Sequence, residues 1–305
     1  MDKIAIVVPT NRPASIARWQ DEWRYELKRT DITLYIVRDE PNTWADIDSV
    51  LGKGGWVIPR RTDCIRSYGF LRAYLEGCDY IITMDDDCYP DTPDFIDRHV
   101  AVLKNHTRWR STITGLTPRG MPNDTINGKR AGISHGLWTN VPDLAGQTQL
   151  ITPLPYRYEI VDQYIPTGMY FPMSGMNLAF PRWMMPAMWF GLQGKEWGVE
   201  RAGDIWCGLI VKKIADHLGI TVHSGYPLVR HDRASDPVKN EIAERPALEI
   251  TEWLWKAVDS VDLRYDNVPD CYGQLSTEID LPNNLYWNKW REGAWFWREL
   301  IIENA

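Results

Sequence analysis

Hydrophobic positions in the first third of the chain follow two alternating patterns. Short β-branched runs predict strands at residues 4–9, 32–37, 56–58 and 80–84. Between them, apolar residues recur at helical spacing and predict helices at residues 14–28 and 63–76. Gly77 follows the second helix, where glycine commonly ends a helix. The pattern therefore predicts an α/β domain.

Polar residues collect at one predicted edge of this domain. Strands that alternate with helices favour a mostly parallel sheet flanked by helices. In such sheets ligands bind beyond the carboxyl ends of the strands. Thr10 and Arg12 follow the first strand, Asp39 follows the second, and Asp85-Asp86-Asp87 follows the strand at 80–84. We expect a binding site at this edge.

The second half of the chain is more mixed. Residues 105–150 are rich in glycine, proline and asparagine and predict loops, whereas residues 203–218 predict a helix. A further helix is predicted at 247–258, with Pro246 at its first position. Residues 268–284 predict an irregular connection. We divide the chain into a domain at 1–237 and a helical extension at 238–305.

Tryptophan is unusually frequent, with 16 residues in the chain. Six of them lie in the last fifth, at positions 253, 255, 287, 290, 295 and 297. One interpretation is a packed helical cap or a contact between copies of the chain, and the other is a stacking platform for sugars or bases. Helical spacing of these residues favours the first.

Composition narrows the class of protein. The 305 residues are 44% hydrophobic and 25% charged, as in ordinary globular proteins, and the net charge is −7. No long basic run predicts duplex DNA binding, although a local basic groove remains open. The apolar run at 4–8 is too short to span a membrane. Five widely spaced cysteines favour a reducing compartment, and we expect a cytoplasmic protein.

The acidic triplet is the strongest chemical signal from the residues alone. Side chains alternate along a strand, so Asp85 and Asp87 are expected on one side and Asp86 on the other. Two neighbouring carboxylates repel each other, which favours a divalent cation such as Mg²⁺ or Mn²⁺ beside them. A solvated acidic turn is the alternative. Arg66 precedes this strand and is expected to pair with a diphosphate at the sheet edge.

Several longer segments resemble the reversibly glycosylated polypeptides, the family that contains plant UDP-arabinopyranose mutases. The segments include Ile-Val-Val-Pro-Thr at 6–10, Met-Asp-Asp-Asp-Cys at 84–88 and Ser-His-Gly-Leu-Trp at 134–138. Others lie at 64–69, 140–150, 171–192 and 204–235. The resemblance covers roughly residues 4 to 237, and it implies a glycosyltransferase-A type Rossmann-like fold, a UDP-sugar substrate and Mn²⁺ or Mg²⁺.

The resemblance also implies roles for particular residues. Asp85, Asp87 and His231 match a metal site, and Asp204 matches an acid that faces the sugar or acts as a base. Gly203 stands where the family has a further acid. The expected nucleotide contacts are Pro9, Thr10, Arg12, Asp39, Arg66, Asp85 and Asp86, and the expected catalytic residues are Asp204, Asp86 and Arg130. Arg130 is the candidate for the family's glycosylated arginine, whose interval (123–130) aligns poorly here.

Three functions follow from these expectations. The first is a UDP-sugar mutase that interconverts pyranose and furanose forms. The second is a glycosyltransferase that moves the sugar to an external acceptor, such as a glycan, a protein or a modified nucleic-acid base. The third is a non-catalytic nucleotide-sugar-binding subunit, against which the intact Asp85, Asp87 and Asp204 argue. Self-association through the Trp-rich C-terminus is compatible with each of them.

Overall fold

The computed structural model describes residues 2–104, 113, 116–121, 130–233 and 235–305. Its strands are β1 (Ile4–Thr10), β2 (Ile32–Arg38), β3 (Tyr80–Met84), β4 (Cys88–Pro90), β5 (Ala131–Asn140), β6 (Gln163–Tyr164), β7 (Asn177–Pro181) and β8 (Thr221–His231). Its α-helices are α1 (Pro13–Glu22), α2 (Pro41–Leu51), α3 (Arg66–Leu75), α4 (Phe95–Lys104), α5 (Gly146–Ile151), α6 (Gly203–Leu218), α7 (Pro237–Asp259), α8 (Val268–Glu278) and α9 (Leu285–Glu303).

All of these strands belong to one sheet. Its order is β2-β1-β3-β7-β5-β8-β4, with β6 beside β8. The pairs β1–β2, β1–β3 and β5–β8 are parallel and contain most of the paired positions, whereas β7 runs antiparallel between β3 and β5. The predicted α/β fold, a mainly parallel sheet flanked by helices with a helical C-terminal region, is confirmed.

Strand β1 shows why both faces of the sheet are covered. Ala5 and Val7 point into one hydrophobic cluster with α3 and α6, while Ile4, Ile6 and Val8 point into a second cluster with α1 and α4. A strand that is buried on both faces is hydrophobic at every position. The uninterrupted apolar run at the N-terminus is therefore a central strand.

The C-terminal helices α7, α8 and α9 pack into the first of these clusters. Trp287, Trp290 and Trp297 are buried there, and the Trp297 indole N–H donates to the carbonyl oxygen of Met185 at 3.0 Å. The helices thus share a core with the sheet, as expected for a packed helical cap. Trp255 and Trp295 remain exposed. The division at residue 237, and self-association through this region, stay predictions.

Several predicted elements differ from the structure. Residues 56–58 do not form a strand, because Gly52–Val57 is a 3-10 helix in which Phe296 packs against Gly54. Pro246 lies inside α7, since Asp236 caps that helix and Pro237 begins it nine residues earlier. The expected connection at 268–284 begins with α8, whose first turn is capped by the Asn267 side chain.

Other elements of the first half match their predictions, but α2 and α4 were not predicted, and the segment expected as loops at 105–150 contains β5. The strands at 4–9, 32–37 and 80–84 and the helix at 203–218 are confirmed. The predicted helix at 14–28 ends at Glu22, and Glu26–Lys28 forms a separate 3-10 turn. Across the described ranges, no helix combines the length and the apolar composition that a bilayer crossing requires.

Candidate active site

The residues Asp85, Asp86 and Asp87 form a turn directly after β3, here called the acidic turn. Asp85 Oδ1 accepts a hydrogen bond from Arg66 Nη2 at 2.6 Å. This arginine is only 1% exposed, and it also donates to the Thr83 hydroxyl and to the Gly175 carbonyl oxygen. The guanidinium keeps the pKa of Asp85 below its ordinary value in spite of burial. Arg66 is therefore an internal counter-ion of Asp85, and its contact with a diphosphate stays a prediction.

Asp86 and Asp87 share a second guanidinium group, that of Arg12. Asp86 is buried and accepts hydrogen bonds from Arg12 and from the Thr10 hydroxyl. Arg12 Nη2 also lies 3.2 Å from Asp87 Oδ2. Because the triplet forms a turn, the expected alternation of faces applies only loosely, and Arg12 contacts both carboxylates. Mutual repulsion is thus partly offset by arginines.

His231 ends β8 and faces Asp87. Its Nε2 lies 3.9 Å from Asp87 Oδ2, and its Nδ1 lies 2.7 Å from the carbonyl oxygen of Val141. A carbonyl oxygen can only accept, so Nδ1 carries a proton, and in the neutral ring Nε2 is the nitrogen with the lone pair. This is the arrangement of a metal-binding histidine, whose second nitrogen donates to a carbonyl group.

The fit of a divalent cation to these residues is partial. Within the described part of the chain, no group of three or more His, Cys, Asp or Glu side chains converges closely enough to hold a metal. Asp87 and His231 nonetheless form a two-ligand set. Mg²⁺ is commonly held by one or two carboxylates, with water and phosphate oxygens in the other positions. A cation here would therefore depend on substrate oxygens for most of its coordination.

Asp204 lies in the first turn of α6, and Gly175 links it to Arg66 at the acidic turn. Its Oδ2 accepts the Gly175 N–H at 2.8 Å, and its Oδ1 accepts the Ile205 N–H at 2.9 Å. Burial, followed by the nearby charges of Asp63 and Asp143, raises its pKa to about 7. At neutral pH this carboxyl group can therefore either give or take a proton.

Two further carboxyl groups surround Asp204, and we call these three residues the Asp204 cluster. Desolvation by the surrounding protein raises the pKa of Asp143, although the residue is open to solvent, and a hydrogen bond from the Ser174 hydroxyl opposes the shift. Asp63 also has a raised pKa, mainly from burial, while the Arg66 charge opposes the shift. Asp143 lies in a segment that resembles the family and Asp63 begins a predicted helix, but neither residue was assigned a role from the sequence. The Asn-Val-Pro-Asp signal at 140–143 was the available clue for Asp143.

The sequence of this chain is similar to those of known proteins over most of its length. The sequence profile of the reversibly glycosylated polypeptides matches residues 1–282. This chain belongs to the reversibly glycosylated polypeptide family. UDP-arabinopyranose mutase 1 of Arabidopsis thaliana is 30% identical over 340 aligned positions, covering 99% of this chain and 93% of the relative. UDP-arabinopyranose mutase 3 of the same plant is 34% identical and covers 76% and 68%. A probable UDP-arabinopyranose mutase 2 of Solanum tuberosum is 31% identical and covers 90% and 75%.

The family match extends past residue 237, where the resemblance read from the sequence ended. It therefore includes α7 and α8, which share the core with the sheet. At position 203, a Cβ atom would meet the Cys64 sulfur and the Phe190 carbonyl oxygen. The chain consequently has no room for a second acid beside Asp204 at that position.

Arg130 is the one expected catalytic residue that the structure does not bring to this site. It directly precedes β5, and its guanidinium lies 5.8 Å from the Trp183 ring centroid. The opposite end of β5, at Asn140, pairs with His231. A ten-residue strand spans about 33 Å, so Arg130 lies far from the acidic turn. The rest of the expected interval, 123–129, lies outside the described residues.

The expected nucleotide contacts at the ends of β1 and β2 are adjacent. Pro9 pairs with Val37 in the sheet, and the Asp39 N–H donates to the Thr10 carbonyl oxygen at 2.8 Å. The Asp39 carboxylate accepts the Trp44 indole N–H at 2.7 Å. The backbone N–H groups of Arg61 and of the next residue, in the loop that precedes α3, also donate to the Asp39 carboxylate. This carboxylate therefore anchors that loop.

Backbone strain also marks the site. Arg61, Asn140 and Arg201 have φ values of 61°, 67° and 62°, in the left-handed region that non-glycine residues seldom adopt. They precede Asp63, Asp143 and Asp204 by two or three positions each. Such strain persists where the surrounding structure enforces it, and it concentrates at functional sites. Each member of the Asp204 cluster is thus carried by a constrained segment.

Proposed function

We propose that this chain is a UDP-sugar mutase that interconverts the pyranose and furanose forms of a UDP-linked pentose, with UDP-arabinose as the first candidate substrate. The observation that carries the proposal is the match to UDP-arabinopyranose mutase 1 over 99% of this chain. Two groups of residues support it: Asp87 with His231, and the Asp204 cluster, which Gly175 and Arg66 connect to the acidic turn.

The chemistry of the interconversion requires balanced proton movement. When a pyranose becomes a furanose, a hydroxyl group becomes the ring oxygen and loses its proton, while the former ring oxygen becomes a hydroxyl group and gains one. The bond between C1 and the diphosphate breaks and forms again, so no atom is lost. Asp204, with a pKa of about 7, can accept the first proton and return the second.

The other side of the site would bind the nucleotide diphosphate. Arg12 is 37% exposed at its side chain and places a positive charge beside the acidic turn. A bound Mn²⁺ or Mg²⁺ would neutralise the charge that develops on the diphosphate as the C1–O bond breaks, and Asp87 with His231 are the residues that would hold it. Arg66 keeps Asp85 ionised and in place.

The direct experiment omits any acceptor. The protein is incubated with UDP-arabinopyranose and Mn²⁺, and NMR follows the anomeric proton. We expect furanose signals at the expense of pyranose signals, without release of free UDP. Matched samples contain EDTA in place of Mn²⁺, or the Asp204→Asn variant.

Other outcomes distinguish the alternatives. UDP release that requires a glycan, protein or nucleic-acid acceptor would replace the mutase with a glycosyltransferase. UDP-sugar binding without any turnover would favour a non-catalytic subunit. Cytoplasmic location, and the identity of any acceptor, remain predictions.

A further inference from the structure

His135 is a buried histidine outside the two groups of carboxylates. It lies within β5 and is 2% exposed. The rings of Trp138 and Phe171 pack against it edge to face, with centroids at 5.6 and 5.4 Å. Its Nδ1 lies 2.9 Å from the Ser224 hydroxyl oxygen, and its Nε2 accepts the Ser174 N–H at 3.2 Å. Both ring nitrogens are therefore engaged, and the packing fixes the ring.

The proton position on His135 follows from its partners. The Ser174 backbone N–H can only donate, so Nε2 must be the unprotonated nitrogen and Nδ1 carries the hydrogen towards Ser224. Burial lowers the pKa of His135 to about 3, and the ring stays neutral at physiological pH. The imidazole is a permanent acceptor for the Ser174 N–H.

The Ser174–Gly175 segment, which His135 holds in place, connects the Asp204 cluster to the acidic turn. The Ser174 hydroxyl donates to Asp143 and also accepts the Met176 N–H. The next residue, Gly175, donates its N–H to Asp204 and accepts a hydrogen bond from Arg66 at its carbonyl oxygen. Two adjacent residues thus position Asp143, Asp204 and the arginine that neutralises Asp85.

We propose that His135 is a positioning residue for the mutase, and that its acceptor atom fixes the Ser174–Gly175 segment so that Asp143 and Asp204 meet the sugar in a productive arrangement. This inference rests on the proposed function. His135 itself touches neither the sugar nor the nucleotide. Its loss should therefore reduce turnover and leave binding of the UDP portion intact.

A pair of substitutions separates the acceptor from simple packing. In His135→Gln, the amide oxygen can occupy the position of Nε2 and accept the Ser174 N–H. In His135→Asn, the shorter amide reaches only the position of Nδ1, so the Ser174 N–H loses its acceptor. A misplacement of about 1 Å can cost roughly 10²-fold in rate. We expect about this loss of kcat for His135→Asn, and a loss within about fivefold for His135→Gln.

The experiment measures kcat, KM for UDP-arabinopyranose and the Kd for UDP, together with amide hydrogen exchange at residues 173–176. In His135→Asn, UDP affinity should stay within about twofold, and the Ser174 and Gly175 amides should exchange faster. Equal loss of kcat in both variants would overturn the proposal in favour of packing. Unchanged kcat in His135→Asn would also overturn it.

A second variant and a second readout test the proposal if His135→Asn does not fold or the wild type is inactive. If His135→Asn does not fold, Ser174→Ala removes the hydrogen bond to Asp143 without changing His135, and it should lower kcat at constant UDP affinity. Unchanged kcat there contradicts the proposal. If the wild-type protein shows no mutase turnover, the proposed function fails separately. The exchange rates and the difference between UDP and UDP-sugar affinity then still test whether His135 positions the segment.

Discussion

Asp85 and Asp204 are both linked to Gly175, yet their surroundings move their pKa values in opposite directions. Asp85 reaches Gly175 through Arg66, and the guanidinium lowers its pKa in spite of burial. Asp204 binds the Gly175 N–H directly, and burial with two neighbouring carboxyl groups raises its pKa to about 7. The first residue is built to stay charged, whereas the second is built to exchange a proton.

This contrast indicates that the acidic turn and the Asp204 cluster have different chemical roles. At the acidic turn Arg66 holds Asp85 ionised, while burial and the Asp85 charge raise the pKa of Asp87 and Arg12 opposes that shift. The Asp204 cluster concentrates carboxyl groups so that ionisation of all three is unfavourable. Groups whose environments separate their pKa values in this way are typical acid–base assignments. Substitutions in each part of the site test whether these two roles are separate.

The largest expected effect is on turnover in Asp204→Asn. General acid–base catalysis contributes about 10²–10⁴-fold to rate, and we expect kcat to fall by this amount while the Kd for UDP stays unchanged. Steady-state kinetics and UDP titration calorimetry give the two quantities. Asp97→Asn replaces a carboxylate that is 64% exposed on α4 and serves as the control. Equal activity of Asp204→Asn and the control would remove the proton-transfer role.

The substitution Gly175→Ala should disturb both the acidic turn and the Asp204 cluster. An added Cβ would lie 2.9 Å from Arg66 Nη1 and 3.0 Å from a Phe190 ring carbon. Overpacking, with displacement of a buried ion pair, should lower the free energy of unfolding by about 3 kcal/mol. Urea denaturation measures this change, and UDP affinity should weaken as well.

Gly273→Ala is the matched control for that substitution. In α8 the three atoms nearest to an added Cβ all belong to the side chain of Arg298, with its Nε atom at 2.8 Å. Alanine also favours a helix over glycine by about 1 kcal/mol. If both variants unfold at the same urea concentration, Gly175 does not join the two sides.

Asp87→Ala tests the binding side alone. Loss of outer partners of a metal site costs about 10–100-fold in metal affinity, so loss of a ligand should cost at least as much. We expect wild-type protein to bind UDP more tightly in Mn²⁺ than in EDTA, and the variant to bind equally in both. Calorimetric titrations in the two buffers measure the ratio. A variant that keeps the wild-type ratio would exclude Asp87 as a ligand.

The sequence predicted the sheet edge well because it depends on local pattern. The apolar run of β3 and the triplet that follows it are contiguous, and α6 is periodic over its whole length. The electrostatic state of the triplet depends instead on distant residues: Arg66 is buried partly because Gly175, 109 positions later, supplies a carbonyl oxygen. The 3-10 helix at Gly52–Val57 likewise depends on Phe296 in α9.

The smallest expected effect is the pH dependence of stability in Asp204→Asn. The pKa of Asp204 is about 7 in the folded protein and about 3.9 in an unfolded chain. Folding therefore favours the protonated form. The wild type loses stability from this group as pH rises from about 4 to 7, and the loss is complete above the folded pKa.

Asparagine cannot ionise, so the variant lacks this loss. The variant instead has a loss of stability that does not change with pH, because its amide oxygen can accept only one of the hydrogen bonds from the Gly175 and Ile205 N–H groups. Linkage alone gives about 2.5 kcal/mol between pH 5 and pH 7.5. Because Asp204 is partly exposed and solvent screens it, the stability of wild type relative to the variant should fall by about 1–2 kcal/mol over this range. Urea denaturation across this range measures the difference. Asp63 and Asp143 also become easier to ionise without Asp204, which changes the difference in the same direction. Parallel curves for the two proteins would mean that folding does not raise the pKa of Asp204, and the contrast between the two sides would then rest on Arg66 alone.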